Sequence, residues 1–160
     1  MKRSWIVLLL VAVMGLTACG GQQEGIVVDD PWVRPSPMIA GNGAGYMVIE
    51  NHTDSDDALV GAEADFADTV EIHETFSVEP DDMEGMGDEG AAEDIPEMMG
   101  MRPVKTIAVP AGGEAALQPG GYHIMFIGVN EELEPGATVS VTLVFESGMR
   151  LDVEAEVRAQ

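Results

Sequence analysis

Apolar and polar residues alternate along most of this chain with the two-residue period of a half-buried strand, and turn signals interrupt the alternation at short intervals. Ile26 to Val28 and Trp32-Val33-Arg34 flank Asp29-Asp30-Pro31, and Pro35-Ser36-Pro37 stops that run. Gly45 to Glu50 reads as a strand closed by Asn51-His52-Thr53-Asp54, and Ala58 to Ala64 follows. From Thr69 to Phe76 the alternation sets Val70 and Ile72 on one side and Glu71 and His73 on the other. Val104 to Val109 alternates as a strand and ends at Pro110-Ala111-Gly112-Gly113. Glu114 to Leu117 is short, and Tyr122 to Val129 is strongly apolar. Thr138 to Glu146 and Leu151 to Val157 pair across Ser147-Gly148 as a closing hairpin. About nine short strands and no sustained helical period predict an all-β domain, an antiparallel sandwich or barrel.

Two segments depart from this pattern. The first is the N-terminus, where Lys2 and Arg3 precede an apolar run from Trp5 to Leu16 that is short for a membrane span. Leu16-Thr17-Ala18-Cys19 then resembles a bacterial lipobox, in which cleavage falls before an acylated cysteine. Residues 1–18 are therefore expected to be a lipoprotein signal peptide, and residues 19–25 a lipidated Cys19 with a flexible Gly/Gln-rich tether. Residues 26–160 are expected to be the domain. The second departure lies inside that domain. Ser77 to Gly100 is acidic and rich in Gly and Met, with Met83, Met86, Met98 and Met99 among nine carboxylates, and its low hydrophobicity predicts a loop insertion.

Composition narrows the function classes. Of 160 residues 46% are hydrophobic, enough for one buried core, while 19 glycines and nine prolines suit a turn-rich β domain. Seven basic residues stand against 29 acidic ones. Cleavage before Cys19 removes Lys2 and Arg3 and no acid, leaving a formal charge of −24. That sign excludes nucleic acid or an anionic membrane surface as a partner through basic patches, so membrane contact is expected through the lipid anchor alone. The surplus of acid suits either a saline habitat or the concentration of cations. Cys19 is the single cysteine, so once it is acylated no disulfide, thiolate ligand or cysteine nucleophile remains.

The chemistry-bearing residues are few. His123 and Met125 stand two apart in the apolar run, so both side chains share one strand face. His73 lies on the polar face of another alternating strand, and Met101 opens the strand after the acidic insertion. His73, Met101, His123 and Met125 could converge at one end of a sandwich as two nitrogens and two thioethers. Thioether sulfur is soft and uncharged and selects Cu(I) over Zn(II), Mg(II) or Ca(II). Without a thiolate such a site is not a blue-copper electron carrier. Taken singly, Met125 also reads as core filler and either histidine as a hydrogen-bonded strand residue. His52 reads as surface, Met38 and Met47 as packing, and Met149 as a hairpin residue.

Residues 26–158 resemble the periplasmic copper chaperone family known as PCuAC. The resemblance rests on Trp32-Val33-Arg34, Gly45-Tyr46-Met47, Val70-Glu71-Ile72-His73-Glu74, Met101-Arg102-Pro103-Val104, Val109-Pro110-Ala111-Gly112-Gly113 and Leu117-Gln118-Pro119-Gly120-Gly121-Tyr122-His123-Ile124-Met125. The family pattern sets a Met 22 positions before the His of a His-x-Met, as Met101 stands to His123. The resemblance implies a cupredoxin-like Greek-key sandwich, a Cu(I) site of His73, Met101, His123 and Met125, and delivery toward the CuA subunit of cytochrome oxidase or another copper-assembly protein. Two departures stand out. In the family the first His lies about ten residues before the first Met, whereas 27 residues separate His73 from Met101, which makes the acidic segment an insertion. Some members carry a Met- and His-rich tail, absent here. The insertion is a candidate replacement, with Met83, Met86, Met98 and Met99 as a secondary Cu(I) site and its carboxylates as Cu(II) ligands; the reading that its composition favours is a solvated, disordered insertion.

The chain shows no Ser-His-Asp pattern, P-loop, HExxH or dinucleotide-binding glycines, so no enzyme is expected. The leading expectation is an extracytoplasmic, membrane-anchored copper(I) metallochaperone. The alternatives are a copper-storing or buffering protein and a metal-free structural sandwich lipoprotein.

Overall fold

A computed structural model describes residues 25–36, 41–78 and 98–159. The expected strands form, ten in all: β1 (Ile26–Pro35), β2 (Asn42–Asn51), β3 (Asp57–Glu63), β4 (Ala67–Val78), β5 (Met98–Pro103), β6 (Ile107–Val109), β7 (Glu114–Leu117), β8 (Tyr122–Val129), β9 (Thr138–Phe145) and β10 (Arg150–Val157). No helix occurs among the described residues. The signal peptide, Cys19 and the tether lie outside the described residues.

The strands follow one hydrogen-bonded order, β5-β4-β8-β7-β2-β1-β10-β9-β3-β6, with a further β8–β2 pairing. The order curls back on itself: β3 packs on β4 and β6 on β2 and β7, although none of these are neighbours in it. Its two halves thus close over one core, in which Val33, Ile49, Leu59, Ile124, Phe126, Val141 and Phe145 are all but fully buried. Phe126 is central and stacks on Phe66 with ring centroids 4.8 Å apart. Opposite it β2 carries Gly43 and Gly45, and a Cβ at Gly45 would come 3.0 Å from the Phe126 ring. Most pairings are antiparallel, as expected; β1–β10 and β7–β8 are parallel.

Three local expectations change. The two short runs around Asp29-Asp30-Pro31 are a single strand, β1, whose register against β2 shifts between Asp29 and Trp32. Asp30 sits in the left-handed region there (φ 45°), and Pro31, which has no amide to donate, falls within the bulge. The run Val104 to Val109 is not one strand: Pro103 ends β5, the Val104 amide donates to the Ile72 carbonyl, and only Ile107–Val109 pairs again. The segment expected to form a loop over Ser77 to Gly100 is narrower. Ser77 and Val78 extend β4, and Met98–Gly100 begin β5, with Ser77 opposite Met99 and Phe76 opposite Gly100. The rest of that insertion lies outside the described residues.

Register sets which residues share a face. In β4, Ile72 and Val70 turn to the core, leaving Glu71, His73 and Thr75 on the opposite face. In β8, Ile124 and Phe126 turn inward and His123 and Met125 outward. His73 stands directly opposite His123, Glu71 opposite Met125, and Thr75 opposite Met101.

Asn51 is the core's polar exception, 1% exposed at the end of β2. Its amide nitrogen donates to the carbonyls of Val109 and Ser55, and its oxygen accepts from the Thr53 amide and hydroxyl. It thereby ties the β2–β3 loop to the end of β6 with no unmade bond. Replacing it with Ala strands a buried carbonyl. Asn51→Ala is expected to lower stability by about 2–4 kcal/mol, measured by urea unfolding; a loss under about 0.5 kcal/mol would show that the network carries no weight.

Candidate metal centre

His73, His123, Met125 and Met101 lie together on the outer face of β8, β4 and β5, the face turned away from the hydrophobic core. They converge across three paired strands, with His123 the second residue of β8, just after the turn at Gly120 and Gly121. The two imidazole centroids are 5.7 Å apart. His123 is 3% exposed and Met125 8%, while Met101, nearer the sheet edge, is 54% exposed. The set is thus graded, buried at one side and open at the other.

The hydrogen bonds of each ring decide which nitrogen is free. His123 Nδ1 lies 3.1 Å from the Gly121 carbonyl oxygen, which can only accept, so Nδ1 carries the proton and Nε2 keeps its lone pair. His73 Nε2 lies 2.8 Å from Glu71 Oε2, so Nε2–H donates to the carboxylate and Nδ1 keeps its lone pair. The two remaining nitrogens, His73 Nδ1 and His123 Nε2, are buried and have no hydrogen-bond partner. A buried acceptor left unpaired costs about 1–3 kcal/mol. Two of them on directly opposed residues form a pair of preoriented nitrogen donors. Carboxylate and carbonyl support of this kind is what fixes metal-ligating histidines in one tautomer.

Beside the rings opens a pocket of about 290 Å³ lined by Met101, His123, Met125, Tyr46, Arg34 and Ala44, among others. Tyr46 makes its wall: the ring stacks on Trp32 (4.5 Å), lies 6.3 Å from His123, and its hydroxyl accepts from Arg34 Nη2 at 3.1 Å. The Arg34 guanidinium also lies 5.5 Å over the Tyr46 ring. Burial lowers the His123 pKa from the ordinary 6.5, assisted by repulsion from His73 and Arg34, while the Gly121 carbonyl works in the opposite direction. His123 is thus held neutral, the form in which Nε2 can bind a metal.

The donor set that results is two imidazole nitrogens and two thioethers. Among the described residues no group of three or more His, Cys, Asp or Glu side chains converges, so none offers the harder donor set that Zn(II) or Ca(II) prefers.

Residues 26–157 match the family described as "Putative lipoprotein LpqE-like". The chain belongs to the LpqE-like family. A relative in Leifsonia xyli subsp. xyli (strain CTCB07), named "Putative lipoprotein Lxx21020", is 31% identical over 159 residues, covering 91% of this chain and 83% of that protein. Among solved structures the LpqE-like chain is similar to Cu(I)-bound DR1885 from Deinococcus radiodurans: 27% identity, 89% of this chain and 83% of that one covered, TM-score 0.59. It also shares its fold with the copper-bound PCuAC domain of PmoF2 (21% identity, 84% and 93% covered, TM-score 0.61) and the apo PCuAC domain of PmoF1 (23%, 85% and 95%, TM-score 0.62). The LpqE-like domain therefore has the cupredoxin-like all-β fold of PCuAC domains.

All four residues expected as ligands fall in one neighbourhood. Of the secondary set, Met83 and Met86 lie outside the described residues, as does Met38; Met98 opens β5; and Met99 is 54% exposed on β5, two residues from Met101. His52 is on the surface beside Glu50, at 2.9 Å, Met47 is buried packing, and Met149 packs partly buried against the core. Sequence reasoning missed the supporting residues. Glu71 was readable, since it stands two before His73 on the same face of an alternating strand. Arg34 and Tyr46 were quoted only as motif letters, because nothing local places β1 and β2 beside β8.

The sign of the His123 shift gives a pH prediction. Unfolded chains protonate this histidine near 6.5 and the folded protein does not, so its contribution to stability is complete above pH 6.5 and is lost as pH falls toward the lowered folded value. An NMR titration of metal-free protein should place the His123 Cε1–H midpoint below 6.5. A midpoint at or above 6.5 would contradict the burial argument.

Proposed function

We propose that this LpqE-like protein is an extracytoplasmic copper(I) carrier, tethered to the membrane through lipid on Cys19, that holds Cu(I) with His73 Nδ1, His123 Nε2 and the sulfurs of Met101 and Met125. One observation carries the reading: two buried imidazole nitrogens without hydrogen-bond partners, on directly opposed residues, beside two thioethers. The likeness to Cu(I)-bound DR1885 supports the metal, and the family's description supports the lipid anchor.

The chemistry follows from the donors. All four are neutral, so a bound Cu(I) keeps its single positive charge and no ligand has to lose a proton on binding. Soft sulfur favours Cu(I) over harder cations. Burial of His123 and Met125 shields one side of the ion, while Met101 is open to a partner. That asymmetry favours transfer over storage, because an incoming donor can displace the exposed thioether before the buried ligands let go. A lipid tether raises the carrier's effective concentration near membrane acceptors. The destination most consistent with the resemblance is the CuA centre of cytochrome oxidase.

Cu(I) titration of the purified protein against a competing chelator tests the proposal. Tight one-to-one binding is expected, weakened roughly 100-fold or more in His123→Ala and in Met101→Ala. Glu71→Ala, which frees the His73 ring, should weaken binding about tenfold, and Glu71→Gln, which retains an acceptor for Nε2–H, should weaken it less. Zn(II) should compete poorly. Absence of Cu(I) binding, or binding indifferent to His123 and Met101, would sink the reading and favour a metal-free sandwich.

A further inference from the structure

β5 is the outermost strand on the metal-centre side of the sheet and, among the described residues, pairs with β4 alone. It carries two methionines on one face, Met99 opposite Ser77 and Met101 opposite Thr75. Both are 54% exposed, which sets them among the few large apolar side chains left in water in the described residues. Packing therefore does not account for Met99. Its sulfur is held from behind, since Ser77 Oγ–H donates to Met99 Sδ at 3.7 Å. Gly100 between them keeps β5 close to β4: a Cβ there would come 2.7 Å from the Phe76 ring, which is itself capped by the Arg102 guanidinium at 5.0 Å. Two positions on one strand face stand roughly 7 Å apart, a gap that two unbranched methionine side chains can close around a single ion.

We propose that Met99 is the exchange ligand of the centre, the thioether that takes Cu(I) from the four-ligand set on its way out and offers it on the way in. The inference rests on the copper reading above. In the outward step a Cu–Sδ bond to Met99 forms while the Cu–Sδ bond to Met101 breaks. The ion remains Cu(I), both sulfurs are neutral before and after, and no proton moves. The acceptor's neutral donors then form bonds to copper as those to His73 Nδ1, His123 Nε2 and Met125 Sδ break in turn, with the bond to Met99 Sδ at the exposed sheet edge breaking last, so copper is never released as a free ion. Burial gives the route its outward direction, from His123 and Met125 to Met101, and Met99, as exposed as Met101, is the next thioether on the same face of β5.

The test compares the wild-type full chain in detergent with Met99→Leu and Met101→Leu. Cu(I) affinity is read by equilibrium competition with bathocuproine disulfonate, and transfer by the rate at which excess chelator strips the loaded protein. Met99→Leu should hold affinity within about twofold of wild type and slow transfer at least about fivefold. Met101→Leu should lose affinity outright. In protein labelled at the methionine methyls, one equivalent of Ag(I), a redox-inert soft probe, should shift the Met99 signal as well as those of Met101 and Met125. Transfer at the wild-type rate in Met99→Leu, or a Met99 methyl signal in the wild-type protein unmoved by Ag(I), would overturn the inference while leaving the four-ligand site standing. A loss of affinity in Met99→Leu as large as that of Met101→Leu would overturn it too, by making Met99 a resident ligand. Wild-type protein that binds no Cu(I) would remove the copper reading itself.

Discussion

The pairing of β4 with β8, His73 directly opposite His123, is the constraint that both the core and the candidate metal centre depend on. Side chains on a strand alternate, so one register decides two faces at once. With His73 facing His123, Ile72 and Ile124 meet inside and Glu71 meets Met125 outside. A slip of one residue would carry the histidines into the core and expose the isoleucines, and burial of the apolar face forbids it. The hydrophobic effect thus aligns the candidate ligands although it acts on the residues between them. Phe126 seated against Gly43 and Gly45 anchors the same register from β2, and places Ala44 beside Met125 and Tyr46 at the pocket wall.

Two buried polar arrangements in this fold show opposite logic. Asn51 is buried with every polar atom bonded, and it holds loops in place. His73 and His123 are supported from behind by Glu71 and Gly121, yet each leaves one nitrogen buried and unbonded. The first arrangement is structural, because its hydrogen bonds offset its desolvation. The second is costly in isolation and becomes favourable once a soft cation occupies the gap, which is the physical basis for reading it as a ligand site.

Charge is distributed unevenly around the centre. The chain as a whole is strongly acidic, at −22, yet the pocket wall carries Arg34, whose Nη2 bonds to Tyr46 and whose Nε is buried without a partner. The surface ion pairs, Arg150 with Glu63 and Arg158 with Asp30 and Glu156, are exposed and contribute little singly. Arg158 also stacks over Trp32 at 5.5 Å and its amide bonds to the Val33 carbonyl, so the end of the chain is laid against β1 behind the pocket wall.

Much of this was legible in the residues alone. The two-residue period is local, so the strands, the core face of β4 and β8, and the shared face of His123 and Met125 could be read without a structure. Local reading failed where pairing overrides it. Met98–Gly100 look like part of an acidic insertion and become strand because β4 offers them a ladder; Val104 to Thr106 alternate like a strand and have none. The resemblance gathered His73, Met101, His123 and Met125, but not how they meet. That His73 and Met101, with 27 residues between them in the chain, lie two register positions apart on neighbouring strands is a matter of long-range register. So is the choice of free nitrogen on each ring, set by a carboxylate and a carbonyl held in place by the sheet. Periodicity is written residue by residue, whereas contacts between distant strands exist only once the core has closed.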